Sequence, residues 1–67
     1  MFDRNRFEYL TRAAGFTPKQ IQKALGLSTS AYYARLQGKV SFSVWEVLTW
    51  AEVTGAVDEI PTIWKLA

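Results

Sequence analysis

Hydroxyl, phenol and amide side chains cluster in the middle of this chain. Thr29, Ser30 and Tyr33 lie close together, Ala34 follows, and Lys19, Gln20, Arg35, Gln37 and Lys39 stand around them. Such groups exchange hydrogen bonds and attract anions at neutral pH. The residues that would move protons are missing. There are no histidines and no cysteines, which removes the usual proton carrier near pH 7, thiolate metal ligands and thiol nucleophiles. A zinc site would need carboxylates alone. The carboxylates form no recognisable acid–base frame, and no phosphate-loop or dinucleotide glycine fingerprint occurs. The expectation is a non-enzyme with no metal, no cofactor and no small-molecule substrate.

Charge divides the chain unevenly, although its net value is only +2. Residues 1–39 carry Arg4, Arg6, Arg12, Lys19, Lys23, Arg35 and Lys39 against Asp3 and Glu8, seven cations less two anions, or +5. Residues 40–67 carry Lys65 against Glu46, Glu52, Asp58 and Glu59, one cation less four anions, or −3. A basic half beside an acidic half fits a face meant for a polyanion, and fits equally an ordinary solvated surface.

Length limits the architecture. A chain of 67 residues makes one domain over 1–67, and it buries only about 60% of its unfolded surface. The 49% hydrophobic and 21% charged content is that of a folded chain. No apolar run approaches the ~20 residues needed to cross a bilayer. Met1-Phe2-Asp3-Arg4 does not open like a secretory signal. The expected location is cytoplasmic, with no membrane partner.

The elements that must position the central cluster read as helices, since no period-2 alternation or hairpin turn is present. Asp3 caps a first helix with Phe7, Leu10 and Ala14 on one stripe, closed by Gly15. Thr17-Pro18-Lys19-Gln20 is a capping box with proline at the first helical position, and Phe16 and Ile21 form its hydrophobic staple. Gly26 stops that helix. Ser28 caps a third, with Leu27, Tyr32 and Leu36 inward and Thr29, Ser30, Tyr33 and Gln37 outward. Gly38 ends it. Ser43 and Glu46 make a second capping box, with Phe42 and Val47 as staple and Val44, Val47, Leu48 and Ala51 lining a fourth helix to Gly55. Asp58 caps a last helix carrying Ile60, Ile63, Trp64 and Leu66. The reading is all-α, a five-helix bundle over roughly 3–14, 18–25, 29–37, 44–54 and 59–66.

Pro18 to Gly38 has the layout of a helix-turn-helix, two short helices joined by a tight glycine-containing turn. Ile21, Leu25, Leu27, Tyr32 and Leu36 fill the inner slots, and Gly26 supplies the positive φ. Thr29, Ser30, Tyr33 and Ala34 fill the outer slots, where such a motif meets base edges in the major groove. The stretch FTPKQIQKALGLSTSAYYARLQG, residues 16–38, resembles helix 2, turn and helix 3 of the lambda-repressor-like (Cro/CI, XRE-type) DNA-binding domains. The resemblance continues through Val44–Ala51 and Gly55–Ile60 and covers nearly the whole chain. It departs from the family at Gln22, where alanine is usual and the two helices touch. The larger Gln22 either loosens that crossing or turns outward. It departs again at Arg35-Leu36, where an apolar residue is usual first and glutamate often follows.

The resemblance implies a sequence-specific regulator of transcription, a phage repressor of Cro or CI type. It implies base contacts from Thr29, Ser30 and Tyr33 and a thymine-methyl contact from Ala34. It implies phosphate contacts from Lys19, Gln20, Arg35, Gln37 and Lys39, with the start of helix 2 as a further phosphate site. It also implies a homodimer joined through the terminal helix, by Ile60, Ile63, Trp64 and Leu66, which would set two recognition helices about 34 Å apart on a palindromic operator. Local alternatives stand beside these. Thr29 and Ser30 also suit a helix start, Tyr33 also suits packing under helix 4, and Arg35 also suits pairing with an acid of the second half. Trp64 also suits folding back onto helix 1. The competing function is a protein-interaction module, an antirepressor or antitoxin acting through the aromatic C-terminal surface.

Overall fold

Each of the first four helices begins where a side chain takes up an orphan backbone N–H. The structure, a computed structural model, describes residues 2–65. Helix α1 (Arg4–Ala13) starts at Asp3, whose carboxylate accepts from Arg6 N at 3.1 Å. Helix α2 (Pro18–Ala24) starts with a reciprocal cap: Gln20 Oε1 accepts from Thr17 N at 2.9 Å, and Thr17 Oγ1 accepts from Gln20 N at 3.2 Å. Ser28 caps α3 (Thr29–Leu36) by accepting from Ala31 N. Ser43 and Glu46 repeat the reciprocal cap at α4 (Val44–Thr54). The five expected helices are present, and the described residues contain no strand.

The fifth differs in detail. Helix α5 (Ile60–Trp64) has no side-chain cap, and Asp58 belongs to a 3-10 turn, Val57–Glu59, that leads into it. Pro61 sits in the first turn, where its missing N–H has no intrahelical partner to lose.

The chain reverses between α2 and α3 at Gly26, with φ +69°. Leu27 N donates back to Gln22 O at 3.1 Å and Gly26 N to Lys23 O at 3.0 Å, so these two carbonyls near the end of α2 are satisfied. There is open space where a side chain would stand. The obstacle to one is the left-handed backbone, which costs a non-glycine residue about 1–2 kcal/mol.

Phe7, Ile21, Leu25, Tyr32, Leu36, Trp50, Ala51 and Ile63 form the buried core. Phe7 stacks on Trp50 with ring centres 5.2 Å apart, and Phe42 and Trp64 close around the pair. One polar thread runs through this apolar centre. Trp50 Nε1 donates to Thr11 Oγ1 at 2.9 Å, and that hydroxyl donates to Phe7 O at 2.7 Å. Both buried polar groups are therefore paired, as burial demands. Asp3 N donates to Ile63 O at 2.7 Å and clasps the start of α1 to α5.

Three expectations about helix faces are corrected. On α1 the buried residue after Phe7 is Thr11, whose hydroxyl is satisfied internally, while Ala14 is exposed. On α4 the inward stripe is Glu46, Trp50 and Ala51. Val44 (76% exposed) and Leu48 (54%) point to solvent. The Trp50 indole claims the core side and rotates the aliphatic residues outward. On α5, Ile63 is sealed in the core at 0% exposure and is excluded as an interface residue. Ile60 and Trp64 are partly buried against the same core. The short helix spends its apolar surface on α1 and α4, because a small domain needs all of it. Leu66 lies outside the described residues.

Candidate nucleic-acid interface

Helix α3 presents its first turn and one outer face to solvent. Thr29 and Ser30 are exposed at its start. Tyr33, one turn on, is 39% exposed, its ring set edge-on to the buried Tyr32 at 5.2 Å. The outer ring therefore rests against a buried one while part of Tyr33 stays accessible. Ala34 is half-buried beside it, and its carbonyl accepts from Lys39 N at 2.9 Å. The hydroxyls, the phenol and a methyl thus share one helical surface, as the sequence predicts. Burial pushes the Tyr32 phenol up to about 12, so it stays neutral beneath this surface.

The surrounding groups divide into free and engaged. Lys19, Lys23 and Lys39 are exposed and form no salt bridge among the described residues. Gln37 is exposed at the C-terminal cap of α3. Gln20 has spent its acceptor oxygen on the α2 cap, which leaves its amide N–H groups to donate. No carboxylate occurs anywhere between Glu8 and Glu46. The α2–α3 segment therefore carries only positive charge.

Arg35 is the correction within this set. Its Nε donates to Glu46 Oε1 at 2.7 Å, its Nη2 to Glu46 Oε2 at 3.2 Å, and its Nη1 to Ala31 O at 3.0 Å. Its side chain is only 17% exposed. A guanidinium held bidentate by a carboxylate offers little charge to a phosphate. Glu46 is also the N3 residue of the α4 capping box, so one carboxylate joins α3 to the start of α4. Burial alone would push the Glu46 carboxyl up. The Arg35 guanidinium and the Ser43 N–H outweigh it and hold the group below the ordinary carboxylate value. The alternative of pairing with a second-half acid was visible in the charge distribution. The partner was not, because it depends on how α4 sits against α3.

The other two ion pairs also lie away from α3. Arg4 pairs with Glu8 along α1, and Arg6 with Glu59. Two features were missed by sequence reasoning. Gln22 is partly buried, and its Nε2 donates to Thr29 Oγ1 at the start of α3 at 3.2 Å. The outer side of α4 carries an apolar stripe of Val44, Trp45 (73% exposed) and Leu48, with Val40 exposed in the loop before it. The signal for that stripe was an α4 sequence apolar on more than one side. Among the described residues no cluster of acidic side chains is grouped to hold a metal ion, and no helix is long and apolar enough to cross a membrane. No protein-family model matches this chain, and no curated protein or solved structure shows significant similarity to it.

Proposed function

We propose that this chain is a sequence-specific double-stranded-DNA-binding regulator of transcription, of the phage Cro/CI repressor type, working in the cytoplasm. In this reading α2 and α3 are a helix-turn-helix, and α3 enters the major groove. The observation that carries it is the outer surface of α3. Thr29, Ser30 and Tyr33 are accessible, and the nearest chain segments supply Lys19, Lys23 and Lys39 with no carboxylate between Glu8 and Glu46. Thr29, Ser30, Tyr33 and Ala34 meet base edges. Lys19, Gln20, Gln37 and Lys39 meet phosphates, which supply affinity and register while the base contacts select sequence.

A palindromic operator needs two copies. With Ile63 consumed by the core, the Val44–Trp45–Leu48 stripe offers an exposed apolar surface to join them. The same stripe favours a second reading, a protein-interaction module such as an antirepressor or antitoxin. Selection on random duplex DNA, followed by anisotropy titration across salt, separates the two. The DNA reading expects one enriched motif and an affinity that falls steeply as salt rises. Failure to enrich any motif overturns it in favour of the protein partner.

A further inference from the structure

Phe16 and Pro18 flank a cleft of about 370 Å³ that Glu8 and Arg12 line from α1 and Tyr32 from α3. That volume falls at the lower end of small-molecule sites. Thr11 and Thr17 also line it, and both hydroxyls are engaged within the fold. Three other polar side chains keep hydrogen-bonding capacity. Tyr32 is 2% exposed, and its hydroxyl has no hydrogen-bond partner among the described residues. It is not sealed like the Trp64 indole N–H, the one side-chain polar atom both enclosed and unpaired among the described residues. After burial, the charge of Glu8 is what most keeps the Tyr32 proton on, which sets the phenol within electrostatic reach of α1. Arg12 is exposed and forms no salt bridge among the described residues. Glu8 engages Arg4 through Oε1 alone, at 3.4 Å, and such an exposed pair contributes little.

Glu8 and Arg12 stand one helical turn apart, so the cleft carries one negative and one positive group side by side. A simple anion there is opposed by Glu8, and a simple cation by Arg12. A molecule with both charges on one carbon meets both. We propose that this cleft is a binding site for an α-amino acid with an apolar side chain. The carboxylate accepts from Arg12 and from the Tyr32 hydroxyl, the ammonium donates to Glu8, and the side chain lies against Phe16 and Pro18. The site needs no DNA and stands independently of the DNA reading.

The test titrates L-phenylalanine and L-leucine into the full chain and follows backbone amide resonances by NMR. Both should give saturable shifts centred on Glu8, Arg12 and Tyr32, with a Kd of about 1 mM. 3-Phenylpropanoate lacks the ammonium and phenethylamine lacks the carboxylate. Each should bind at least about tenfold more weakly than L-phenylalanine, the effect of one lost hydrogen bond to a charged group. Arg12→Gln should weaken L-phenylalanine about tenfold and leave phenethylamine unchanged, whereas Glu8→Gln should weaken L-phenylalanine and leave 3-phenylpropanoate no weaker. Tyr32→Phe should weaken L-phenylalanine while keeping the ring in the core. Thermal melts establish that each variant is folded, and the surface position of Arg12 keeps the test open if Tyr32→Phe unfolds.

Absence of saturable shifts with both amino acids overturns the proposal. So does 3-phenylpropanoate or phenethylamine binding as tightly as L-phenylalanine, because the paired charges then select nothing. Shifts centred instead on the cleft lined by Phe2, Phe42 and Trp64 place the ligand elsewhere and overturn the site.

Discussion

The outer faces of α3 and α4 are opposites in chemistry although the two helices are consecutive. One carries hydroxyls and a phenol, in an α2–α3 segment whose own charges are all positive; the other carries Val44, Trp45 and Leu48. Between them the Arg35–Glu46 pair neutralises the only cation of α3. The molecule thus pairs the charge where these helices meet and leaves Lys19, Lys23 and Lys39 exposed and without salt bridges among the described residues. A solvated polar face needs no partner to be stable, whereas an exposed tryptophan flanked by aliphatics marks a surface that gains by being covered. The contrast points to two kinds of partner on two surfaces.

The largest effect should come from reversing charge on the first surface. Lys19→Glu with Lys39→Glu should weaken duplex binding on the order of a hundredfold or more at moderate salt, on every sequence, with a shallower salt slope. Anisotropy titrations at several salt concentrations measure this, and unchanged affinity would remove both lysines from the phosphate-binding set.

The seam between the surfaces comes next. Glu46→Gln should cost about 1–3 kcal/mol at neutral pH, since it leaves the Arg35 guanidinium partly buried without its anion. Because the Glu46 carboxyl is held below its ordinary value in the fold, its contribution is present above the unfolded carboxylate pKa. It is lost as pH falls through the lower folded value. Chemical denaturation should therefore show wild type and variant converging in acid. A constant gap across pH would mean that the pair contributes by packing alone.

The smallest change in fold stability belongs to the second surface. Trp45→Ser with Leu48→Ser should move monomer stability only within about ±0.5 kcal/mol per site. In the dimer reading proposed above, the same variant should abolish self-association in sedimentation velocity and the cooperative part of operator binding. Retained association would send the dimer contact elsewhere.

Much of this arrangement was legible beforehand where the cause is local. Thr17-Gln20 and Ser43-Glu46 were readable as caps because the partners stand three residues apart, and both form. Gly26 was readable as the turn because few other residues tolerate its φ. The solvent face of α3 followed from Leu27, Tyr32 and Leu36 lying on the other side. Helix α4 resisted, since Val44, Trp45, Val47, Leu48, Trp50 and Ala51 put apolar groups around much of its circumference, and only tertiary fit decides which stripe goes in. Helix α5 misled for a related reason. Its apolar residues looked surplus until the Phe7–Trp50 cluster was seen to need them. Gln22–Thr29 joins residues on different helices, and neither side chain announces its partner.

The backbone clasp from Asp3 to Ile63 has a topological consequence. It brings the two edges of the helical sequence side by side, so the order in which the helices are strung is separable from how they assemble. A short linker across that clasp, with the chain opened at the exposed Gly15 turn, would give a circular permutant reading α2-α3-α4-α5-α1. The rearranged chain would keep every helix beside its present neighbours. In it α2 and α3 would be synthesised first, and α1 would arrive last to close over Trp50.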